Sequence, residues 1–180
     1  MITLFLADGF EELEAITVID LLRRAELNVV TVSIMGRKKV VSARHVKIEA
    51  DEIFEDIDYD DCEMIVLPGG GGGARNLENH EGLIAKLNEF NNKEKWIAAI
   101  CAAPMILGHN GILVGREATI YKGMEDELTE ALFVDEKVVV DEHIITSQGP
   151  ATAIDFALKI IELLKGKEAA LEIAAALLCD

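Results

Sequence analysis

Cysteine is scarce in this sequence, and the few cysteines that it has are far apart. The 180 residues contain three, Cys62, Cys101 and Cys179. An odd number at wide spacing predicts neither a disulfide framework nor a CxxC metal pattern. The four histidines show no zinc-ligand spacing either. The sequence therefore predicts no metal site and no cofactor.

Positive charge and long apolar runs are also lacking. The chain has 17 lysine and arginine residues against 33 aspartate and glutamate residues, which gives a net charge of −16. This excess of negative charge repels nucleic acids and anionic membrane surfaces. No apolar run approaches the length of a transmembrane helix, and residues 1–7 lack the basic flank of a signal peptide. We therefore expect a cytoplasmic protein that forms one domain over residues 1–180, with neither nucleic acid nor membrane as a partner.

Predicted strands alternate with predicted helices along the chain. The strands cover residues 2–7, 28–34, 63–67, 96–100 and 118–121, with a ribbon over 38–48 and a hairpin over 137–147. The helices cover residues 10–25, 82–91, 151–164 and 168–178, with a helical turn or two over 125–132. Residues 51–62 are predicted to form an acidic surface loop. The alternation predicts an α/β layer fold with a mainly parallel sheet, in which ligands collect at the carboxyl ends of the strands.

A thiol lies at a sharp predicted bend, in the segment K-W-I-A-A-I-C-A-A-P-M over residues 95–105. Residues 96–100 predict a buried strand, and Pro104 suits the first turn of a helix. Cys101, between them, would lie near the positive end of that helix, which favours thiolate over thiol. This is the arrangement of a nucleophile elbow. The alternative is that Cys101 is a buried and inert thiol.

Two acidic residues of the first predicted helix are candidates for a partner of Cys101. Glu14 lies in line with an apolar stripe that continues through Val18 and Leu22. Glu11 shares part of that stripe, so the periodicity does not separate the two acids. A carboxyl group that faces a core has a raised pKa, and it can donate a hydrogen bond to a thiolate or carry a proton. For both acids the alternative is a favourable position near the helix N-terminus.

Five glycines, Gly69–Gly73, follow the predicted strand over residues 63–67. The run matches neither GxxxxGK[ST] nor GxGxxG, so a nucleotide-binding loop is not favoured. Backbone N–H groups that line a small anionic site are a better interpretation, and a flexible turn is the alternative. The next helical segment is predicted to begin at Ala74. Because the acids, the glycines and Cys101 each follow a strand, we expect them to meet at one edge of the sheet.

Four motifs resemble the DJ-1/ThiJ/PfpI superfamily, in the branch of the parkinsonism-associated protein and its bacterial relatives. They are A-D-G-F-E-E-L-E at 7–14, L-P-G-G at 67–70 with A-R-N-L at 74–77, A-A-I-C-A-A-P at 98–104, and I-T-S-Q-G-P at 145–150. The resemblance covers essentially the whole chain. It implies a flavodoxin-like three-layer α/β sandwich with a mainly parallel sheet, similar to class I glutamine amidotransferases, and a homodimer.

The resemblance also implies roles for single residues. Cys101 matches the low-pKa nucleophile of these proteins, and Glu14 matches its protonated partner. Gly69 and Gly70, with the backbone N–H of Ala102, match a pocket that holds an oxyanion or an oxidised cysteine.

Three further positions bear on the substrate pocket. Arg44, which by itself reads as a solvated turn residue, matches a basic residue near the pocket mouth. Ala102 stands where the protease-like members have a histidine after the cysteine, so peptidase activity is not favoured. Tyr121 stands where the parkinsonism-associated branch has a pocket histidine, and a phenol is a poor base near neutral pH. Glyoxalase turnover would then be slow or would rely on Glu14 alone.

The function implied is that of a stress-response enzyme of the glyoxalase III or deglycase type. It would act on reactive α-oxoaldehydes, or on their adducts with proteins, through a Cys101 thiolate and a protonated Glu14. The alternative is a redox sensor or chaperone-like protein in which Cys101 is oxidised to sulfinate, and an intracellular cysteine peptidase is less favoured. The expected partners are a small aldehyde or a glycated protein, and a second copy of the chain.

Overall fold

The computed structural model describes residues 1–179 of the chain. Its strands are β1 Ile2–Leu6, β2 Val29–Ser33, β3 Lys39–Val41, β4 Lys47–Glu49, β5 Glu52–Ile53, β6 Met64–Leu67, β7 Trp96–Ile100, β8 Glu117–Ala118, β9 Leu132–Phe133, β10 Val138–Asp141 and β11 Ile144–Ser147. Its α-helices are α1 Glu12–Arg24, α2 Gly71–Glu78, α3 Glu81–Asn92, α4 Pro104–His109, α5 Ala153–Lys165 and α6 Lys167–Ala176. Short 3₁₀ turns cover Phe54–Asp56, Glu125–Leu128 and Pro150–Thr152.

The central sheet of residues 1–179 has seven strands in the order β10-β11-β7-β6-β1-β2-β5. Neighbouring strands run parallel, except in the β10–β11 hairpin. Strands β1 and β6 are buried along their whole length, because helices cover both faces of the sheet. The predicted ribbon over residues 38–48 is confirmed, since β3 and β4 pair antiparallel in a sheet of their own.

Two apolar cores lie on the two faces of the central sheet. In β1, Phe5 faces one core, whereas Leu4 and Leu6 face the other, as the alternation of side chains along a strand requires. Side chains of α2, α3 and α4 complete the first core, and side chains of α1, α5 and α6 complete the second. This three-layer arrangement confirms the predicted flavodoxin-like α/β sandwich.

The chain between α4 and β10 differs from the sequence-based expectation. The strand predicted over residues 118–121 is reduced to the two residues of β8. The backbone N–H of Thr119 donates to Thr146 Oγ1 at 2.9 Å, and that of Tyr121 donates to the Cys101 carbonyl at 3.0 Å, so neither continues the β8 ladder. The helical turn predicted over 125–132 covers only Glu125–Leu128, because Thr129, with a φ of 13° and a ψ of 110°, leaves the helical conformation. Strand β9, which then pairs with β8, was not predicted.

The predicted acidic surface loop over residues 51–62 is only partly a loop. It contains edge strand β5 and the 3₁₀ turn Phe54–Asp56. The rings of Phe54 and Tyr59 pack on buried Phe5, with centroids 5.9 and 6.4 Å from that ring. The aromatic side chains therefore turn inward while the carboxylates around them stay at the surface.

Two further observations concern the part of the chain that the structure describes. Within residues 1–179, every helix is too short or too polar to cross a membrane. In the same part of the chain, no cluster of histidine, cysteine, aspartate and glutamate side chains is arranged to hold a metal ion. The cysteines are free thiols, with Cys62 and Cys101 buried.

Candidate active site

The candidate site lies at the carboxyl ends of three adjacent parallel strands, β1, β6 and β7. Strand β6 is in the middle, so the glycines that follow it lie between α1, which follows β1, and Cys101, which follows β7. This strand order places the acids, the glycines and the thiol side by side, although they are far apart in sequence.

Cys101 occupies a strained bend between β7 and α4. Its φ of +64° lies in the left-handed region that residues other than glycine rarely adopt. Tertiary hydrogen bonds hold it there, because the Cys101 N–H donates to the Ser147 carbonyl at 2.9 Å and the Cys101 carbonyl accepts from the Tyr121 N–H at 3.0 Å. The residue is 8% exposed. A thiol on a strained strand-to-helix turn has the geometry of a nucleophile elbow.

Glu14 is a fully buried acid in the first turns of α1. Its Oε2 accepts a hydrogen bond of 2.7 Å from the backbone N–H of Gly69. Its Oε1 has no hydrogen-bond partner among residues 1–179. Burial raises the pKa of Glu14 to about 7, against the lowering effects of the Cys101 side chain and the Gly69 N–H. Glu14 can therefore both give and take a proton near neutral pH.

Glu11 and Glu14, which the periodicity left unresolved, have different environments. Glu11 is the residue before α1, and its backbone N–H donates to the Gly69 carbonyl at 2.9 Å. The Glu11 side chain is only partly buried and lines a cavity that is open to solvent. Glu14 is fully buried and is not part of the lining of that cavity. The structure thus makes Glu14 the buried acid beside the Cys101 side chain, since Glu14 Oε2 and the Cys101 Cβ both crowd Gly69.

Gly69 allows the thiol and the acid to approach each other. A Cβ atom built at this position would lie 2.5 Å from the Cys101 Cβ and 2.7 Å from Glu14 Oε2, so no side chain fits there. The resemblance implied that Gly69 helps to hold an oxyanion. Its N–H donates to Glu14 instead, which makes Gly69 a residue that positions the acid.

Most of the rest of the glycine run forms the start of a helix rather than a flexible turn. Gly70 has a φ of +89° and precedes α2, which begins at Gly71 rather than at the predicted Ala74. The N–H of Gly73 donates to the Gly9 carbonyl at 3.0 Å. The helix starts early because its backbone packs against the turn after β1 at Gly9, at a separation that only glycine permits.

The electrostatic environment of the Cys101 thiol depends on Glu14. Burial raises the pKa of Cys101 and an ionised Glu14 raises it further, whereas the backbone N–H groups of Gly70 and Ala102 lower it. This direction is opposite to the depressed thiol pKa that we expected from the sequence. Protonation of Glu14 removes the opposing charge and provides a hydrogen-bond donor for the thiolate. The two groups therefore titrate as a coupled pair.

A cavity of about 380 Å³, the Cys101 cavity, connects this pair to solvent. Its lining includes the predicted site residues Arg44, Gly70, Cys101, Ala102 and Tyr121. Arg44 is exposed in the turn between β3 and β4, and the hydrogen bond of 2.8 Å from Ala43 N–H to the Phe10 carbonyl holds this turn beside α1. Arg44 is thus both a solvated turn residue and a residue of the cavity mouth. Glu14 and Gly69 are absent from the lining described for this cavity and lie beneath it.

An ionic cluster beside the Cys101 cavity was not anticipated from the sequence. His109, at the end of α4, contacts Glu78 through Nδ1 at 2.5 Å and Glu127 through Nε2 at 2.8 Å. The carboxylate of Glu78 raises the pKa of His109, against the effect of burial. The cluster lines a second cavity that shares Gly71, Ala102 and Met124 with the first. No local sequence pattern indicates it, because its members belong to three separate elements.

Comparison with known proteins places the chain in a family. The model of the DJ-1/PfpI family matches residues 1–163. Protein dj-1beta of Drosophila melanogaster is 40% identical over 175 residues, which cover 96% of this chain and 94% of that protein. The glutathione-independent glyoxalase DJ-1 of Schizosaccharomyces pombe is 32% identical over 177 residues, which cover 93% of this chain and 92% of that protein. The chain spans 40% and 44% of the length of the DJ-1 homologues B and A of Arabidopsis thaliana, with 38% and 36% identity.

The likeness extends to three dimensions. The solved structure of Toxoplasma gondii DJ-1, in an oxidized form, matches with a TM-score of 0.94 at 38% identity, and the match covers 98% of this chain and 97% of that chain. The family model, the relatives and the shared fold agree over nearly all of the described residues. The chain belongs to the DJ-1/PfpI family.

Proposed function

We propose that the protein converts small α-oxoaldehydes such as methylglyoxal to 2-hydroxy acids without glutathione, by covalent catalysis at Cys101. The observation that supports this most strongly is the buried Glu14, with a pKa raised to about 7 beside the thiol at the elbow. An acid of this pKa can exchange protons with a reacting carbon near neutral pH. The S. pombe relative named as a glutathione-independent glyoxalase supports the same chemistry.

The cycle begins when the Cys101 thiolate adds to the aldehyde carbon and the new alkoxide takes the proton of Glu14, which gives a hemithioacetal. The Glu14 carboxylate then removes the hydrogen of that carbon as a proton and delivers it to the neighbouring ketone carbon, through an enediol. The aldehyde carbon becomes a thioester and the ketone becomes an alcohol, so the oxidation and the reduction balance within the substrate. Water hydrolyses the thioester, which releases lactate and regenerates the thiol.

Other residues of the cavity support these steps. The N–H groups of Gly70 and Ala102, which already favour the anionic form of Cys101, stabilise the oxyanion that forms beside the sulfur. Exposed Arg44 at the mouth attracts the carboxylate product and other anions. Tyr121 replaces the histidine of related proteins and is a poor base, so Glu14 alone carries the proton between the two carbons.

The same thiolate would act on early glyoxal adducts of proteins, which is the deglycase form of the proposal. The open mouth of the Cys101 cavity, with Arg44 exposed at its rim, is compatible with a protein side chain as substrate. A homodimer is part of the proposal too. Exposed Leu13 and Ile16 on α1, with exposed fractions of 61% and 43%, are apolar surface that a second copy would cover. The cytoplasmic location stays an expectation from the sequence.

The purified protein is expected to form lactate from methylglyoxal in buffer that contains no glutathione. One equivalent of iodoacetamide is expected to stop this reaction, because alkylation removes the nucleophile. Lactate is measured enzymatically or by NMR, and mass spectrometry of peptides locates the alkylated cysteine. Consumption of methylglyoxal without lactate would contradict the proposal, since it would indicate adduct formation only. Full activity after complete alkylation of Cys101 would contradict it as well.

A second candidate function is redox sensing at the same thiol. The N–H groups of Gly70 and Ala102 that face Cys101 would also stabilise the oxygens of a sulfinate. The oxidized form of the T. gondii relative is consistent with this chemistry. Peptidase activity is less supported, because the described lining of the Cys101 cavity contains no histidine to activate the thiol.

Mild hydrogen peroxide is expected to add two oxygens to Cys101 before either other cysteine reacts, because the N–H groups of Gly70 and Ala102 favour its anionic form. Cys62 is 1% exposed, and its Sγ contacts Thr3 Oγ1 and the Met64 carbonyl. Peptide mass spectrometry over a peroxide series measures the order of oxidation. If Cys62 or Cys179 is oxidised first, the sensor function is excluded.

A further inference from the structure

Tyr121 lies between two cavities. One is the Cys101 cavity, of about 380 Å³. The other, here the Gln148 cavity, has about 260 Å³ and is lined by residues that include Lys122, Asp135, Gln148 and Gly149. Tyr121 and Pro150 line both cavities. The two residues therefore lie between the reactive thiol and the adjoining space, and we call the boundary that they form the wall.

The backbone of this wall is held close to the reaction centre. The Tyr121 N–H donates to the carbonyl of Cys101 itself at 3.0 Å, so the phenol ring is connected directly to the elbow. The residue is 49% exposed, so part of the side chain faces solvent. The position of Tyr121 therefore combines a backbone that is bonded to the elbow with a side chain at the surface.

The ring of Tyr121 rests against Gly149. A Cβ atom built on Gly149 would lie 3.2 Å from Cδ2 and 3.6 Å from Cε2 of Tyr121, and it would meet no other residue within 4 Å among those described. The first of these distances is tighter than ordinary van der Waals contact. Glycine at position 149 is thus what allows the ring to lie in the wall.

We propose that Tyr121 is a specificity-determining residue, whose ring separates the Cys101 cavity from the Gln148 cavity and so restricts the thiol to α-oxoaldehydes with small substituents. This inference rests on the proposed function for its substrate class. The aromatic ring acts here as a wall, and the phenol hydroxyl has no part in the chemistry. An aryl substituent on a substrate bound at Cys101 would extend toward Tyr121, and the ring would limit its reach into the adjoining space.

Tyr121→Ala is expected to join the two cavities and to raise the ratio of kcat/KM for phenylglyoxal to that for methylglyoxal by about tenfold, the scale on which apolar pockets discriminate substrates by size. Tyr121→Phe keeps the ring and is expected to keep the wild-type ratio. Steady-state kinetics with both aldehydes measure the two ratios. If Tyr121→Phe shifts the ratio as much as Tyr121→Ala, the hydroxyl rather than the ring is responsible and the inference is wrong.

Gly149→Ala tests the wall without changing Tyr121. The φ of 167° at Gly149 is extended backbone that alanine adopts without strain. The added methyl group meets only the Tyr121 ring and pushes it away from Gly149, toward the Cys101 cavity. This variant is expected to lower the phenylglyoxal-to-methylglyoxal ratio, opposite in sign to Tyr121→Ala. An unchanged ratio in both variants would overturn the inference.

Alkylation of Cys101 separates failure of this inference from failure of the proposed function. The readout is the ratio of rate constants for iodoacetanilide, which carries an aryl group, and iodoacetamide, which does not, measured at the Cys101 peptide by mass spectrometry. Tyr121→Ala is expected to raise this ratio even if wild-type protein forms no lactate. Lactate formation with no change in either ratio would leave the enzyme function intact and exclude Tyr121 as the wall.

Discussion

Cys101→Ser is expected to form no lactate from methylglyoxal above the buffer rate, a loss on the order of a thousandfold or more. Serine keeps the size of the side chain and the strained backbone at φ +64°. Its hydroxyl, however, is a weak nucleophile without an adjacent base. Glu14 is suited to stabilise a thiolate, but it is too weak a base to ionise an alcohol. Enzymatic detection of lactate in glutathione-free buffer measures the loss.

Cys62→Ser is the matched control for this experiment. Cys62 is also buried, but it precedes β6, at the amino end of a strand whose carboxyl end leads into the candidate site, and its Sγ lies 3.0 Å from Thr3 Oγ1. A serine hydroxyl can keep that hydrogen bond. The control is expected to form lactate at the wild-type rate. Comparable losses in both variants would indicate a fold defect, and retained activity in Cys101→Ser would contradict covalent catalysis at Cys101.

Glu14→Gln is expected to lower turnover by about 10²- to 10⁴-fold, which is the usual contribution of a general acid–base group. The amide oxygen can accept the hydrogen bond of 2.7 Å from Gly69 N–H, so the local structure is kept. The amide N–H₂ can donate to the Cys101 sulfur, but it carries no exchangeable acidic proton. Absorbance near 240 nm is therefore expected to show a Cys101 thiolate that forms at a lower pH than beside an ionised Glu14, which raises the thiol pKa, and that reacts with iodoacetamide yet turns over slowly.

The same substitution is expected to stabilise the fold, and more so as the pH rises. Burial raises the pKa of Glu14 from 4.5 to about 7, so the folded state binds the proton more tightly than the unfolded state, and ionisation of Glu14 costs stability as the pH rises through this range. Glutamine has no charge to bury. From pH 5 to pH 8, the advantage of Glu14→Gln in free energy of unfolding is expected to grow by roughly 2–3 kcal/mol. Urea unfolding at the two pH values measures it.

Glu11→Gln provides the comparison for Glu14. Glu11 lies three residues earlier and lines the Cys101 cavity, but it is partly exposed. Glu11→Gln is expected to lower kcat/KM by less than about tenfold, because a charge at the solvent-exposed edge of a cavity interacts only weakly with a bound substrate. A larger loss in Glu11→Gln than in Glu14→Gln would transfer the acid–base role to Glu11. A stability gain for Glu14→Gln that shrinks from pH 5 to pH 8 would contradict the raised pKa.

Part of the fold and of the candidate site is predictable from the sequence. The buried strands and the long helices follow from apolar runs and periodicity, and the bend at Cys101 follows from the change of pattern before Pro104. Residues 118–132 and the acidic segment over 51–62 were predicted less well. Their conformation depends on tertiary hydrogen bonds such as that from Thr119 to Thr146, and on the packing of Phe54 and Tyr59 against Phe5.

The composition and pattern of the chain by themselves determined the α/β fold, the carboxyl edge of the sheet as the functional edge, and Cys101 as the nucleophile candidate. Burial periodicity and turn chemistry are properties of neighbouring residues, so a sequence displays them directly. The tertiary structure decided, where periodicity could not, that Glu14 rather than Glu11 is buried beside the thiol. It also showed that Gly69 positions Glu14, through a hydrogen bond between residues 55 positions apart. It also decided that Tyr121 divides two cavities. Such contacts depend on the strand order, which brings distant segments together.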